Sequence, residues 1–308
     1  MISVIVPCFN EELNVQPLYE RLCTSLKGYE YEIIFVDDGS SDGTLKQVRK
    51  LHNEDCEHVL LISFSRNFGK EAAIYAGLEH MNGDYGAILD ADLQQSPELV
   101  AQMLQFLMEN EEYDIVAMYQ ERRIEKKFIS WAKRKCYQIL NQMCEVDFYN
   151  GASDFRIFRK CVADALVNLP ECYRFSKGLF SWIGFKTYYQ PYVAEERYSG
   201  KSKWSLRRLI NYGLEGLLAF STFPLRVALY LGLFVSFSSF VYMLVIVVEH
   251  FVLNNAVSGY ATIVCLILMS SGVQTMLLGI LGEYIGKTYM QGKNRPKYIV
   301  REIMKKDH

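Results

Sequence analysis

Residues 227–248 read VALYLGLFVSFSSFVYMLVIVV, and no charged side chain interrupts them. As a helix this stretch is about 33 Å long, enough to cross the hydrocarbon core of a bilayer. A second uncharged stretch, residues 260–282, follows after a loop that carries no Lys or Arg. Lys201, Lys203, Arg207, Arg208 and Arg226 precede the first stretch; Lys287, Lys293, Arg295, Lys297, Arg301, Lys305 and Lys306 follow the second. Cationic flanks stay in the cytoplasm, so the pattern predicts a hairpin with both ends inside and its loop outside. Everything before it is then expected on the cytosolic side of an inner (plasma) membrane. The expected division is 1–195, a cytosolic domain; 196–226, a basic juxtamembrane segment; 227–248 and 260–282, the two spans; and 283–308, a basic tail.

The first 120 residues have a different grammar. Apolar runs at Ile2–Val6, Tyr31–Val36, His58–Ser63, Tyr85–Leu89 and Ile115–Met118 alternate with helical stretches at Glu12–Leu26, from Ser40-Ser41-Asp42 through Leu51, Gly69–Met81 and Pro97–Glu109. Such alternation predicts an α/β domain with a mostly parallel sheet covered on both faces. The formal net charge of −2 gives no general attraction to nucleic acid. The eight cysteines include no C-x-x-C pair and read as reduced thiols. The opening residues lack a basic n-region and read as a strand rather than a signal peptide.

Parallel sheets bind ligands beyond the carboxyl ends of their strands. Two acidic pairs, Asp37-Asp38 and Asp90-Ala91-Asp92, stand at such ends. Residues i and i+2 of an extended chain point the same way, so Asp90 and Asp92 are expected to face one point. Oxygen ligands of this kind suit a hard divalent cation such as Mg2+ or Mn2+, with substrate phosphates completing the shell. Asn10-Glu11-Glu12 ends another strand. Gly69-Lys70 opens a helix without the remaining residues of a P-loop, which leaves anion binding at that helix start open. Asp154 lies between small residues and an apolar run. Arg197, Lys201 and Lys203, just before the membrane, are suited to gripping a phosphate. Two amphipathic stretches, 124–146 and 204–220, are expected to lie on or near the membrane surface.

Taken in order, Val6-Pro7-x-Phe9-Asn10-Glu11, Val36-Asp37-Asp38-Gly39-Ser40-x-Asp42-Gly43-Thr44, Ser65-Arg66-Asn67-x-Gly69-Lys70, Asp90-Ala91-Asp92-Leu93-Gln94 and Ser199-Gly200-Lys201-Ser202-Lys203-Trp204 resemble the inverting family 2 glycosyltransferases of GT-A fold. Within them the chain is similar to the polyprenyl-phosphate group, which includes bactoprenol glucosyltransferase and dolichyl-phosphate mannose synthase. The resemblance implies that Pro7, Asn10, Glu11, Asp38, Lys70 and Asp90 bind a nucleotide sugar. It implies Asp92 and Gln94 as metal ligands and Asp154 as the catalytic aspartate. Arg197, Ser202 and Lys203 would contact the acceptor phosphate, and Asp154, Asp92, Arg197 and Lys203 would serve the chemistry. The Gln-x-x-Arg-Trp motif of processive members is absent from the sequence.

The expected reaction is transfer of a hexose, glucose from UDP-glucose first among the candidates, to undecaprenyl phosphate, a donor for cell-envelope glycans. Another sugar on the same acceptor, or a catalytically silent membrane-anchored nucleotide-binding scaffold, are the alternatives. A phosphate monoester loses its second proton near pH 6, about where a neutral cytosol leaves it ionised. Such a nucleophile needs little help from a general base, so Asp154 is expected to orient hydroxyls. Gly232, Ser236, Ser238 and Ser239 would let the hairpin pack against copies of itself as a homo-oligomer.

Overall fold

The computed structural model describes residues 1–120, 143, 144, 146, 149, 151–193, 195, 219–252 and 259–306. The strands are β1 (Ile2–Cys8), β2 (Tyr31–Asp37), β3 (Val59–Phe64), β4 (Tyr85–Ile88), β5 (Ile115–Gln120), β6 (Ala152–Arg159), β7 (Thr187–Tyr192) and β8 (Val300–Met304). The helices are α1 (Val15–Ser25), α2 (Thr44–Glu54), α3 (Lys70–His80), α4 (Glu98–Glu109), α5 (Lys160–Val167), α6 (Ser176–Trp182), α7 (Phe223–Val252) and α8 (Tyr260–Gly292).

The eight strands among the described residues join one sheet, in the order β7-β5-β6-β4-β1-β2-β3-β8. Alternate residues of each strand serve opposite faces. Val4, Val6, Ile33 and Phe35 pack with Leu18 and Leu22 of α1, Val48 of α2 and Met103 of α4. Ile5, Ile34, Val36 and Ile62 pack on the other side with Ala73, Ile74 and Ala76 of α3 and Val162 of α5. Both faces are therefore covered, which is why the central strands read as continuous apolar runs. α3 lies close to the sheet: a Cβ on Gly77 would sit 2.2 Å from Ile5 Cγ2.

The order reverses at β1, which has β2 on one side and β4 on the other, both parallel to it. That reversal opens a crevice at the carboxyl edge, where such sheets place their ligands. Pro7 marks the opening. Ile5 carbonyl accepts the Leu89 N–H at 3.0 Å, so alternate residues of β1 from Ile5 face β4. The ladder to β4 ends at Ile5–Ile88, so Pro7 faces the gap left by β4 and its missing N–H costs no sheet bond.

The five strands read from the sequence are present within two residues of their expected ends. The sheet's antiparallel members were not foreseen. β6 runs antiparallel to both β4 and β5, and two of its arginines, Arg156 and Arg159, hide its alternation. The Arg156 residue is only 4% exposed; its guanidinium donates to Ser153 carbonyl at 2.9 Å and lies 4.1 Å from the centre of the Phe180 ring. The expected basic tail contains β8, which pairs antiparallel with β3 and closes that edge. Arg49 ion-pairs with Glu302, and Tyr298 stacks on Phe64 with ring centres 4.8 Å apart.

α7 and α8 are long and apolar enough to cross a membrane. Their large side chains are uncovered, Phe234 and Phe237 at 70% exposure and Leu268 at 67%, so these are not core helices of a water-soluble fold. They pack against each other at Gly232 and Leu277. α8 runs ten residues past the expected end of its span, about 15 Å of helix. On that extension the Gln291 side chain donates to Pro170 carbonyl at 3.0 Å and accepts the Cys172 N–H at 2.8 Å. Nearer the membrane, Tyr284 hydroxyl donates to Ser221 carbonyl at 2.7 Å.

Candidate active site

The loops after β1, β2, β3 and β4 meet at one edge of the sheet. Those after β1 and β2 are zipped together by side chains. Asn10 Oδ1 accepts the Ser41 N–H at 2.8 Å, Glu11 N–H donates to Thr44 Oγ1 at 2.8 Å, and Glu12 accepts the Gly43 N–H at 3.0 Å. Asn10 itself takes a left-handed conformation, φ 55°. Asp37 accepts from Ser40 N–H and Ser63 hydroxyl.

Asp38 is only 3% exposed and holds the next loop. Its two oxygens accept the N–H groups of Phe68, at 2.6 Å, and Gly69, at 2.9 Å. Burial raises its pKa to about 6, an effect opposed by those two donors and reinforced by Asp37. Gly39 makes this approach possible: at φ 65° any Cβ would meet the Arg66 backbone at 2.5 Å. The structure thus places Asp38 in the floor of the cleft, occupied with the 65–69 loop, rather than on the cleft surface.

That loop delivers Lys70, the first residue of α3, between two carboxylates. Its Nζ is 2.6 Å from Asp90 Oδ1 and 2.7 Å from Asp154 Oδ2. Asp154 reaches the same edge because β6 is antiparallel: the register Ile88–Arg156 brings the start of β6 beside the end of β4. The three side chains keep 40%, 29% and 15% exposure respectively, so they line an open floor rather than a sealed core.

The electrostatics separate the carboxylates. Burial works against ionising Asp154, but Lys70, then Lys177 and Arg156, outweigh it and hold its carboxyl far below the usual range. Burial raises Asp90; Lys70 opposes this while Asp154 and Asp92 add to it. Burial also disfavours the charged Lys70, yet Asp154 and Asp90 raise its pKa above the ordinary value, so it stays an ammonium at any physiological pH. Asp154 Oδ1 is buried and has no hydrogen-bond partner among the described residues. An acceptor in that condition is costly unless something arrives to donate to it.

The two carboxylates of Asp90-Ala91-Asp92, alike in sequence, differ in their partners. Asp90 is held by Lys70 through one oxygen and by Gln95 through the other. Gln95, 5% exposed, donates from Nε2 to Asp90 Oδ2 at 3.1 Å and to Ser153 Oγ at 3.2 Å, while its Oε1 accepts the Asp90 N–H at 3.0 Å. It ties the β4 loop to the start of β6. Sequence reading missed it, because its burial comes from partners in the folded chain, Asp90 and Ser153. Asp92 Oδ1 accepts the Gln94 N–H at 3.2 Å across Leu93, which adopts φ 59°.

Among the described residues, no three His, Cys, Asp or Glu side chains cluster as a metal cage. The expected ligands, Asp92 and Gln94, stand two apart in the loop after β4, and each carries an oxygen donor. A hard-oxygen set this small fits Mg2+ or Mn2+ whose shell is completed by water and phosphate oxygens. Asp90 and Asp154 share the Lys70 ammonium, and Asp92 stands two residues from Asp90 in the same loop.

Pro7, Asn10, Glu11, Lys70, Asp90, Asp92, Gln94 and Asp154 all lie along this edge. Arg197, Ser202 and Lys203 lie outside the described residues, as do most of the two amphipathic stretches. The segment bearing Arg197 begins beside Gln94, whose carbonyl accepts the Glu195 N–H at 3.0 Å.

A doubly covered sheet with a switch-point crevice, acidic strand ends and a C-terminal pair of long apolar helices is the architecture to which the comparisons give a family. Residues 3–166 match glycosyl transferase family 2, and residues 223–288 match the GtrB C-terminal hairpin. The chain belongs to glycosyl transferase family 2 and has its GT-A architecture. It is 42% identical over 306 residues to a Bacillus subtilis protein named as a glycosyltransferase, CsbB, covering 98% of this chain and 92% of the relative. It is 37% identical to the prophage bactoprenol glucosyl transferase homolog of Escherichia coli, covering 99% of each, and 39% identical to the bactoprenol glucosyl transferase of Shigella phage SfII, covering 98% and 97%. Among solved structures it resembles glucosyl-3-phosphoglycerate synthase from Mycobacterium tuberculosis in complex with Mn2+, UDP and phosphoglyceric acid. The TM-score is 0.51 at 19% identity, over 71% of this chain and 76% of that one.

Proposed function

We propose that this protein transfers a hexose from a nucleoside-diphosphate sugar, UDP-glucose first, to a polyprenyl phosphate at the cytoplasmic face of the inner membrane, with inversion at the sugar carbon. The observation that carries this reading is the physical link between the acidic site and the foot of the hairpin. Ser176 of α6 donates to Glu71, the neighbour of Lys70, from both its N–H and its hydroxyl. Two residues on, Gly178 touches the ring of Phe220, three residues before α7 begins. A lipid-borne acceptor can therefore meet the site without leaving the membrane. Relatives named bactoprenol glucosyl transferase, matched over nearly their whole length, support the choice of acceptor and sugar.

In this reading the zipped loops carrying Pro7, Asn10 and Glu11 receive the nucleotide, and Asp38 holds the Lys70 loop beneath it. Asp92 and Gln94 would hold a divalent cation, Mg2+ or Mn2+, which supplies charge neutralisation to the departing diphosphate when bound. Asp90 and Lys70 face the sugar end of the donor. Asp154 keeps its carboxylate form and uses its unpartnered oxygen to accept a hydrogen bond from a sugar hydroxyl. Its strongly depressed pKa makes it a poor proton acceptor at neutral pH, and a phosphate nucleophile has little proton left to give up. Arg197, Ser202 and Lys203 would steady the acceptor phosphate.

The reading is tested by supplying reconstituted protein with undecaprenyl phosphate and a panel of nucleotide sugars, with EDTA or with added Mg2+ or Mn2+. UDP release that needs both the lipid and the cation, and is fastest with UDP-glucose, is the expected result. Release indifferent to the lipid would overturn the acceptor assignment, and undiminished release in EDTA would overturn the cation.

A further inference from the structure

Lys177, in α6, acts on the Asp154 carboxylate but has been given no ligand of its own. It is half-buried and makes no hydrogen bond or ion pair with any described residue. Its neighbours on both sides are fixed: Ser176 is bonded to Glu71 at the start of α3, and Gly178 lies against Phe220 at the foot of α7. Lys177 is thus held between the acidic site and the membrane entry by contacts that do not involve its own side chain. The nucleotide side of the cleft is elsewhere, at the loops after β1 and β2. Leu179 and Phe180 of the same helix pack into the core with Ile88 and Phe158, under the β4–β6 half of the sheet.

We propose that Lys177 is a binding residue for the acceptor, its ammonium taking the phosphate group that a membrane lipid presents to the sugar carbon. This rests on the lipid-phosphate reading of the site. A phosphate brought beside Asp90, Asp92 and Asp154 meets repulsion unless a cation travels with it or waits for it, and Lys70 is already engaged by two carboxylates. Lys177 acts on Asp154 strongly enough to depress that carboxyl's pKa, second only to Lys70 among the charges that do so. The contacts of its two chain neighbours place it between the Glu71 turn that opens α3, next to Lys70, and Phe220 at the foot of α7. A lysine serves here as a compact point charge whose three donors can follow a mobile headgroup.

The experiment uses full-length protein in nanodiscs, with steady-state kinetics in undecaprenyl phosphate and in UDP-glucose separately. Lys177→Gln should raise KM for the lipid at least about tenfold, the loss of one charge-assisted hydrogen bond. KM for UDP-glucose should stay within about twofold, the melting temperature should not move, and Lys177→Arg should recover most of the lipid affinity. An unchanged lipid KM, or a rise confined to the UDP-glucose KM, would overturn the assignment. A fall in kcat alone, unrescued by arginine, would do the same. Should the wild-type protein itself form no lipid product, the acceptor reading falls together with this inference; should it form product while Lys177→Gln keeps its KM, only Lys177 is wrongly assigned.

Discussion

Asp154 and Glu71 lie close together in the fold and titrate in opposite directions. Asp154 gains the Lys70 ammonium as a partner, and its carboxyl is ionised throughout the accessible pH range. Asp154→Asn should lower kcat by roughly ten- to a hundredfold, the loss of an orienting hydrogen bond, while the pH profile of kcat/KM between pH 6 and 8 keeps its shape. A profile whose limb disappears in the variant would make Asp154 a general base. Glu71 is pushed up to about 7 by burial and by Asp154, with Ser176 and Lys70 opposing. Its folded-state pKa is above its unfolded value, so its stabilising contribution is complete below about pH 4.5. That contribution is lost as pH rises through about 7. Glu71→Gln, which keeps an acceptor for Ser176, should therefore melt higher than the wild-type protein at pH 8 and converge with it near pH 4.5. Thermal melts across that window check the sign. Unlike Asp154, Glu71 gave no hint in the sequence. It reads as an ordinary first-turn acid of α3, and only the packing of α6 against that turn buries it.

Elements differ in how far their sequence announced them. β1 to β5 and α1 to α4 were legible because short continuous apolar runs alternate with longer helical stretches, with turn chemistry between. β6 was not: its buried Arg156 and half-buried Arg159 break the alternation, and both donate to carbonyls that only the folded chain supplies. That strand carries Asp154, so its antiparallel direction, invisible in the sequence, is what completes the Lys70 pair. β8 was hidden by its charges, which fall on both faces of the strand: Arg301 is exposed, while Glu302 on the other face pairs with Arg49 of α2. The α3–β1 contact is a test of element packing. Gly77→Ala would thrust a methyl group to 2.2 Å from Ile5 Cγ2. It should cost about 1–3 kcal/mol of stability by overpacking, read from chemical denaturation in detergent. Since Lys70 begins the same helix, activity should fall with it even though Gly77 is remote from the cleft. A fully stable, fully active variant would show that α3 can slide without disturbing Lys70.

At the scale of the whole molecule, the chain leaves the sheet, makes a membrane hairpin, and returns to the same sheet as β8. The extension of α8 is pinned to Pro170 and Cys172, and Tyr284 is pinned to Ser221 at the start of the hairpin. The catalytic domain is thus fastened to its hairpin at several levels, consistent with a site that works on a substrate it never releases into water. The hairpin was the plainest feature of the sequence, because length and absence of charge suffice to specify it. What the sequence left open was which parts of the soluble domain touch its foot, and these turn out to be α6 and the residues just before it. The most direct measurement is the identity of the lipid product. Protein in nanodiscs, given UDP-glucose, undecaprenyl phosphate and Mn2+ or Mg2+, should yield an undecaprenyl-phosphate hexose by mass. NMR coupling constants should show the β anomer, inverted from the donor. An α-linked product, or glucose appearing only as the free sugar or on another acceptor, would contradict the account.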